Sequence, residues 1–282
     1  MNKTFDFQRL GAVIRWDILT NWKGYMTRTI GLAIALALYS ILQLYLFRSS
    51  IGIFDDKDSL AFFMQGKFCT LFICIAVFLF FVSASNIFGN MKTKLQREGY
   101  LMLPATKIEK YISRFLLMTI GSIIMMLIAL IVADAVQFIF SFFMTPGFHA
   151  SVTWETFRFI FFKGEDDHET YWEIVYFCIS FCIFVHSFFS VGGSFYRKYP
   201  VLLTTVTAII LSMIFGYTIN EMGEAGWLDF LKDIDMSRGT TASYCVTAFW
   251  SILFLIVAAF NYWASYKIFT RMQVICNKWI NI

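Results

Sequence analysis

Asp134 and His186 are the side chains best suited to moving a proton or meeting a charged ligand, because both fall inside long apolar runs. Ionisable groups in such runs are costly and often mark a pathway or a proton relay. Each has a plainer reading. Asp134 lies outward of the middle of its run, where it can reach a watery vestibule; His186 lies in the inner half of another, where it can be a hydrogen-bonded core group. Their different depths argue against a direct pair.

Other groupings carry less. Glu165–Asp166–Asp167–His168–Glu169 has metal-ligand residue types, but no turn glycine or EF-hand spacing orders it. It reads as a solvated acidic loop, and no metal site is expected. Cys69, Cys74, Cys178, Cys182, Cys245 and Cys276 show no zinc spacing. Five of them fall in apolar runs, so they read as small apolar residues without disulfides. No convergent catalytic set can be assembled and no G-x-x-x-x-G-K-[ST] phosphate loop is present, so no enzyme is expected on this chain.

The elements that hold these residues are membrane-length helices. Of 282 residues, 59% are hydrophobic and 15% charged, against roughly 45–50% and 25% in a soluble domain. That balance excludes a disordered chain and an ordinary cytosolic enzyme. A net charge of +4 is too small for a nucleic-acid surface. A bilayer-crossing helix needs about 20 mostly apolar residues, and six runs qualify: Thr29–Phe47, Phe68–Gly89, Phe115–Met144, Tyr171–Gly193, Val201–Asn220 and Ser243–Thr270. All three prolines lie outside them, so no kink is required. Continuous apolar runs also exclude a transmembrane β-barrel, whose strands alternate. The fold class is therefore all-α, a polytopic membrane protein with six transmembrane helices.

Lys and Arg collect in cytoplasmic loops. Sixteen of the 23 basic residues fall in the amino-terminal segment, the 2–3 loop, the 4–5 loop and the tail, together with only four acidic residues. The alternate loops hold seven basic and fourteen acidic residues. Both termini are thus expected in the cytoplasm. Residues 1–28 lack a signal-peptide core and are expected to form an uncleaved amphipathic helix in the cytoplasmic interface, with Phe7, Leu10, Ile14, Ile18, Trp22 and Tyr25 on one face. Residues 29–270 form the six-span domain, and 271–282 a cytoplasmic tail. Small-residue pairs in the first run, Gly31-x-x-x-Ala35 and Ala33-x-x-x-Ala37, permit close helix contact within the chain or with a second copy. The aromatic cluster Phe159–Phe162 fits an interfacial outer segment.

The 2–3 loop, GNMKTKLQREGYLMLPATKIEKYISRF (Gly89–Phe115), is the most informative stretch. A short helix fits Met91–Glu98. Thr106 and Glu109 have capping-box spacing, so a helix is expected to start at Lys107 and run into span 3. Between the breakers Gly99 and Pro104 lies an apolar patch, Tyr100–Leu103, flanked by cations. Such a patch suits docking into a partner's groove; dipping into the interface beside anionic lipid is the alternative.

YLMLPATKIEKYISRFL resembles the L-x-L-P-x-[ST]-x-x-E-[KI] signature in the first cytoplasmic loop of type-2 exporter permeases of ATP-binding-cassette (ABC) transporters. The matching positions are Leu101, Leu103, Pro104, Glu109 and Lys110. Six spans with both ends inside, and a short cytoplasmic turn after HSFFSVGGSFYRKYP, extend the resemblance. It implies a permease subunit working as a homodimer or with a paralogous permease, with ATP and Mg bound on a separate ATPase subunit. It places the ATPase-coupling contact at Lys94, Arg97, Glu98, Tyr100, Leu101, Leu103, Pro104, Glu109 and Lys110, with Arg197 and Lys198 as a second contact. The implied location is a bacterial inner membrane, with lipid as the other partner. The competing reading is an ion-coupled secondary transporter using Asp134 and His186, which would need no ATPase; broken helices or inverted repeats would mark it, and no convincing internal repeat is visible.

Overall fold

The structure is a computed structural model that describes residues 5–50, 73–91, 93–144, 151, 153–154, 172–225 and 241–272. The acidic loop 165–169, Phe159–Phe162, Cys69, Cys276, the first residues of span 2, Tyr171 and all but the first two residues of the tail lie outside the described residues.

The main helices among the described residues follow in order: α1 (Phe7–Ser50), α2 (residues 73–85, leading into a 3₁₀ turn at Gly89–Met91), α3 (Lys94–Leu101), α4 (Lys107–Met144), α5 (Trp172–Phe195), α6 (Pro200–Glu224) and α7 (Thr241–Arg271). No β-strand occurs among the described residues. Six of the helices, all but α3 and with α2 taken through its 3₁₀ turn to Met91, are long and apolar enough to cross a membrane.

The sequence separates an interfacial helix ending at Arg28 from a span beginning at Thr29. The structure has no break there: α1 is one helix of 44 residues, about 66 Å long at 1.5 Å per residue. Nothing between Phe7 and Ser50 stops a helix, since that stretch contains no proline. The 38 residues of α4 likewise give about 57 Å, against a hydrocarbon core of about 30 Å. Its first turns, Lys107–Arg114, thus project beyond the membrane-spanning segment that the hydropathy places at Phe115–Met144.

The chain divides into two compact units, one of Met1–Val13, Phe81–Met118 and Tyr171–Ile282, the other of Ile14–Phe80 and Thr119–Thr170. In the second unit Leu36 and Ala37 of α1 pack against Ala133 of α4, with Leu32, Ile75 and Leu130 around them. Ala33 and Ala37 are buried, whereas Gly31 and Ala35 face outward. One small-residue pair of the first run therefore serves contact within the chain.

In the first unit α5 packs along α7 and against α6. The α5–α7 seam is polar. Ser194 Oγ lies 2.6 Å from Ser265 Oγ, Asn261 Nδ2 donates to Ser187 Oγ at 3.1 Å, and His186 Nδ1 is 2.9 Å from the Tyr262 hydroxyl. Small hydroxyl side chains let helices approach closely while pairing groups that lipid cannot satisfy. Two glycines then fix where three helices meet. A Cβ on Gly193 would overlap the Ser85 backbone carbonyl of α2, and one on Gly192 would overlap Thr204 of α6. The α5–α6 turn is only Tyr196–Tyr199. Proline at N1 starts α6, and Tyr199 before it takes a left-handed φ of 50°.

Candidate functional site

The 2–3 connection folds through two reciprocal caps. Thr93 accepts from the Gln96 N–H, and the Gln96 side chain accepts from the Thr93 N–H, which starts α3 at Lys94 rather than Met91. At the start of α4 the Glu109 N–H donates to Thr106 Oγ1 at 3.3 Å, and Glu109 Oε2 accepts from the Thr106 N–H at 2.7 Å. The capping box read from the sequence is present, and the helix starts at Lys107.

The carboxylate of Glu109 does more than cap. Its Oε1 accepts from the Asp6 N–H at 2.8 Å and from Arg9 Nη2 at 2.9 Å. It therefore ties the start of α1 to the start of α4. Glu109 is fully buried, while the Arg9 side chain keeps a quarter of its surface exposed. Burial alone pushes the Glu109 carboxyl up; the donors from Thr106, Asp6 and Arg9 outweigh it and hold it below the usual carboxylate range.

A second reciprocal pair fastens α3 to α4. The Tyr100 hydroxyl donates to the Lys110 carbonyl at 2.6 Å, and Lys110 Nζ donates to the Leu101 carbonyl at 2.7 Å. Burial pushes the Lys110 ammonium below its ordinary value, partly offset by Glu109. Arg114, also buried, donates through Nε to the Ile87 carbonyl at 2.8 Å and so holds the end of α2. Buried cations that meet backbone carbonyls satisfy both the charge and otherwise orphaned helix-end acceptors.

The residues assigned to partner contact therefore divide. Arg97, Tyr100, Glu109 and Lys110 are buried and brace the connection from inside. Lys94 and Glu98 form an ion pair at 3.8 Å, an exposed i,i+4 pair of the kind worth about 0.3–0.5 kcal/mol. Leu101 and Leu103 are half-buried, and Pro104 is exposed. The residues that protrude are Leu95, 78% exposed, and Met102, 81% exposed. Leu95 escaped the sequence reading, whereas Met102 belongs to the apolar patch Tyr100–Leu103 read from it; their i,i+7 spacing puts them on one helical face.

Arg197 and Lys198, from the α5–α6 turn, separate as well. Lys198 is exposed, whereas Arg197 is half-buried and lines a recess together with Arg97, Ser85 and Gly193. One residue from each of the two separate loops, Arg97 and Arg197, is thus brought to the same recess. Asp134 and His186 belong to different units. Asp134 Oδ2 accepts from Ser151 Oγ at 2.6 Å and from the Thr153 N–H at 3.4 Å, tying both residues to α4. His186 is buried, bonded to Tyr262 and edge-on to Phe115.

Six membrane-length apolar helices, their outward faces rich in Leu, Ile and Phe, make this a polytopic helical membrane protein. The chain matches no protein-family profile, no curated protein and no solved structure.

Proposed function

We propose that the chain is the membrane-spanning permease subunit of an ATP-driven exporter of the ABC type, and that the 2–3 connection carries movement from a separate ATPase subunit into the spans. The observation behind this reading is the construction of that connection. The Leu101–Lys110 segment with the exporter-like signature is braced from within by Tyr100, Glu109 and Lys110, and it leaves the apolar pair Leu95 and Met102 protruding. A rigid element with exposed apolar tips can be pushed as a unit; a loose loop would absorb the displacement.

On this proposal both termini and the connection are cytoplasmic, as the charge distribution expects. ATP and Mg are handled by the partner, a second copy or a paralogous permease completes the pathway, and the setting is a bacterial inner membrane. Mild extraction of the native complex tests it. An ATPase chain should copurify with the wild-type protein, and Leu95→Asp with Met102→Asp should lose it while still inserting. The proposal fails if no ATPase accompanies the wild type, or if the double variant binds and stimulates its ATPase normally.

A further inference from the structure

Along α7 the outward side chains change character in a fixed order. Ile252, Ile256 and Phe260 are exposed and apolar. Trp263 follows, 55% exposed, with its ring 5.7 Å from that of Phe260. Lys267 and Arg271 come last, both exposed. Steps of three or four residues keep these side chains on one face of the helix. Apolar residues, then Trp, then cations is the order met on passing from hydrocarbon to head groups, so the last two turns of α7 mark that boundary.

Another helix of the same unit brings a third cation there. Lys107, in the first turn of α4 and exposed, donates through Nζ to the Thr270 carbonyl at 2.8 Å. Lys267 Nζ lies 5.5 Å from the Trp263 ring centroid, within cation–π reach. Both ammonium groups are therefore held at one edge instead of swinging on free stems. The arrangement lacks its counter-charge. Lys267 and Arg271, four residues apart, repel each other. The carbonyl end of a helix favours cations, but Lys107 already meets the Thr270 carbonyl. No carboxylate lies within ion-pair distance of any of the three cations among the described residues. Glu109, two residues from Lys107, is buried and bonded to Asp6 and Arg9.

We propose that this edge binds the head group of an anionic phospholipid. Its phosphate meets Lys107, Lys267 and Arg271, and its acyl chains run along Phe260 and Ile256. Charge complementarity names the head group: three uncompensated cations call for an anion. The continuity of the face names a lipid, because one molecule with a charged head and apolar tails covers the cations, Trp263 and the apolar strip together. An acidic protein surface would cover the cations alone. Each cation near an anionic head group strengthens binding about fivefold, and holding two of them in place beforehand lowers the cost of ordering them. The inference needs a membrane-spanning chain and does not rest on the exporter reading.

The test places the full chain in nanodiscs of phosphatidylcholine mixed with phosphatidylglycerol and reads the retained lipids by native mass spectrometry. The wild type should retain phosphatidylglycerol in preference to phosphatidylcholine. Lys267→Gln with Arg271→Gln should lower that preference about thirtyfold, and Lys107→Gln alone about fivefold. Lys94→Gln removes a cation that already has Glu98 as its partner and should leave the preference unchanged. Lys267→Arg with Arg271→Lys keeps both charges and should keep the preference. The inference is overturned if the wild type shows no preference, if the double Gln variant retains it, if Lys94→Gln lowers it equally, or if the charge-conserving pair loses it.

Discussion

Replacing Glu109 with glutamine keeps the size of the side chain and removes its charge, so it isolates the carboxylate's role in tying α1 to α4. The carboxylate accepts from Asp6 N–H, Arg9 Nη2 and Thr106 N–H at 2.8, 2.9 and 2.7 Å. An amide offers one acceptor oxygen. If it takes the place of Oε1, the Thr106 N–H faces an NH₂ group; if it takes the place of Oε2, Asp6 and Arg9 do. At least one buried donor loses its acceptor, and the Arg9 bond loses charge assistance. Together these cost about 3 kcal/mol, roughly a hundredfold in the opening equilibrium of the amino-terminal segment. Peptide-resolved hydrogen exchange over residues 5–13 reads that equilibrium directly. A double-mutant cycle with Arg9→Gln should give a coupling of about 1–2 kcal/mol, between the exposed and fully buried limits for ion pairs. Exchange in Glu109→Gln indistinguishable from wild type, or a coupling below about 0.5 kcal/mol, would refute the clamp.

Two further outcomes follow from the geometry. Because the Glu109 carboxyl sits below its usual range, its contribution is fully present above the ordinary glutamate value of about 4.3 and is lost as pH falls through the depressed value. Exchange over residues 5–13, corrected for intrinsic rates, should therefore stay flat from neutral pH to about 5 and rise only below about 4; a rise already near pH 6 would contradict it. Gly193→Ala should lower the thermal midpoint in detergent, by an overpacking cost of about 1–3 kcal/mol, since its Cβ meets a backbone carbonyl. Gly216→Ala in α6, with nothing within 4 Å of its Cβ, should be neutral or gain up to about 1 kcal/mol. Equal behaviour of the two would undo the close-approach argument.

Six spans and the α4 start were legible because hydropathy and capping are local. The break expected after Arg28 was not, since a change in composition along a helix does not require a change in backbone direction. At the site, sequence picks out Glu109 as a cap, because Thr106 is three residues away. It cannot show Asp6 and Arg9 on the same carboxylate, about a hundred residues distant in the chain. The apolar patch Tyr100–Leu103 illustrates the same limit. Hydrophobicity marks it as something to be covered, but Tyr100 is covered by its own chain, and Met102 is left out. The serines at 187, 190 and 194 had a visible signal: their spacing keeps one face of α5 small and polar inside an apolar run. That signal was masked by the hydropathy average.

α6 has a lasting asymmetry. Thr204 is its only buried residue, pressed against Gly192, while its remaining surface is half-exposed or fully exposed. Selection should then act on the helix very unevenly. Its outward Leu, Ile and Met positions can exchange among themselves with little consequence, so related sequences should drift there. Positions 192 and 204 should instead trade volume, a larger side chain at one accompanied by a smaller one at the other. The trace of the fold in evolutionary record would be a single covarying pair set in a helix of otherwise interchangeable residues.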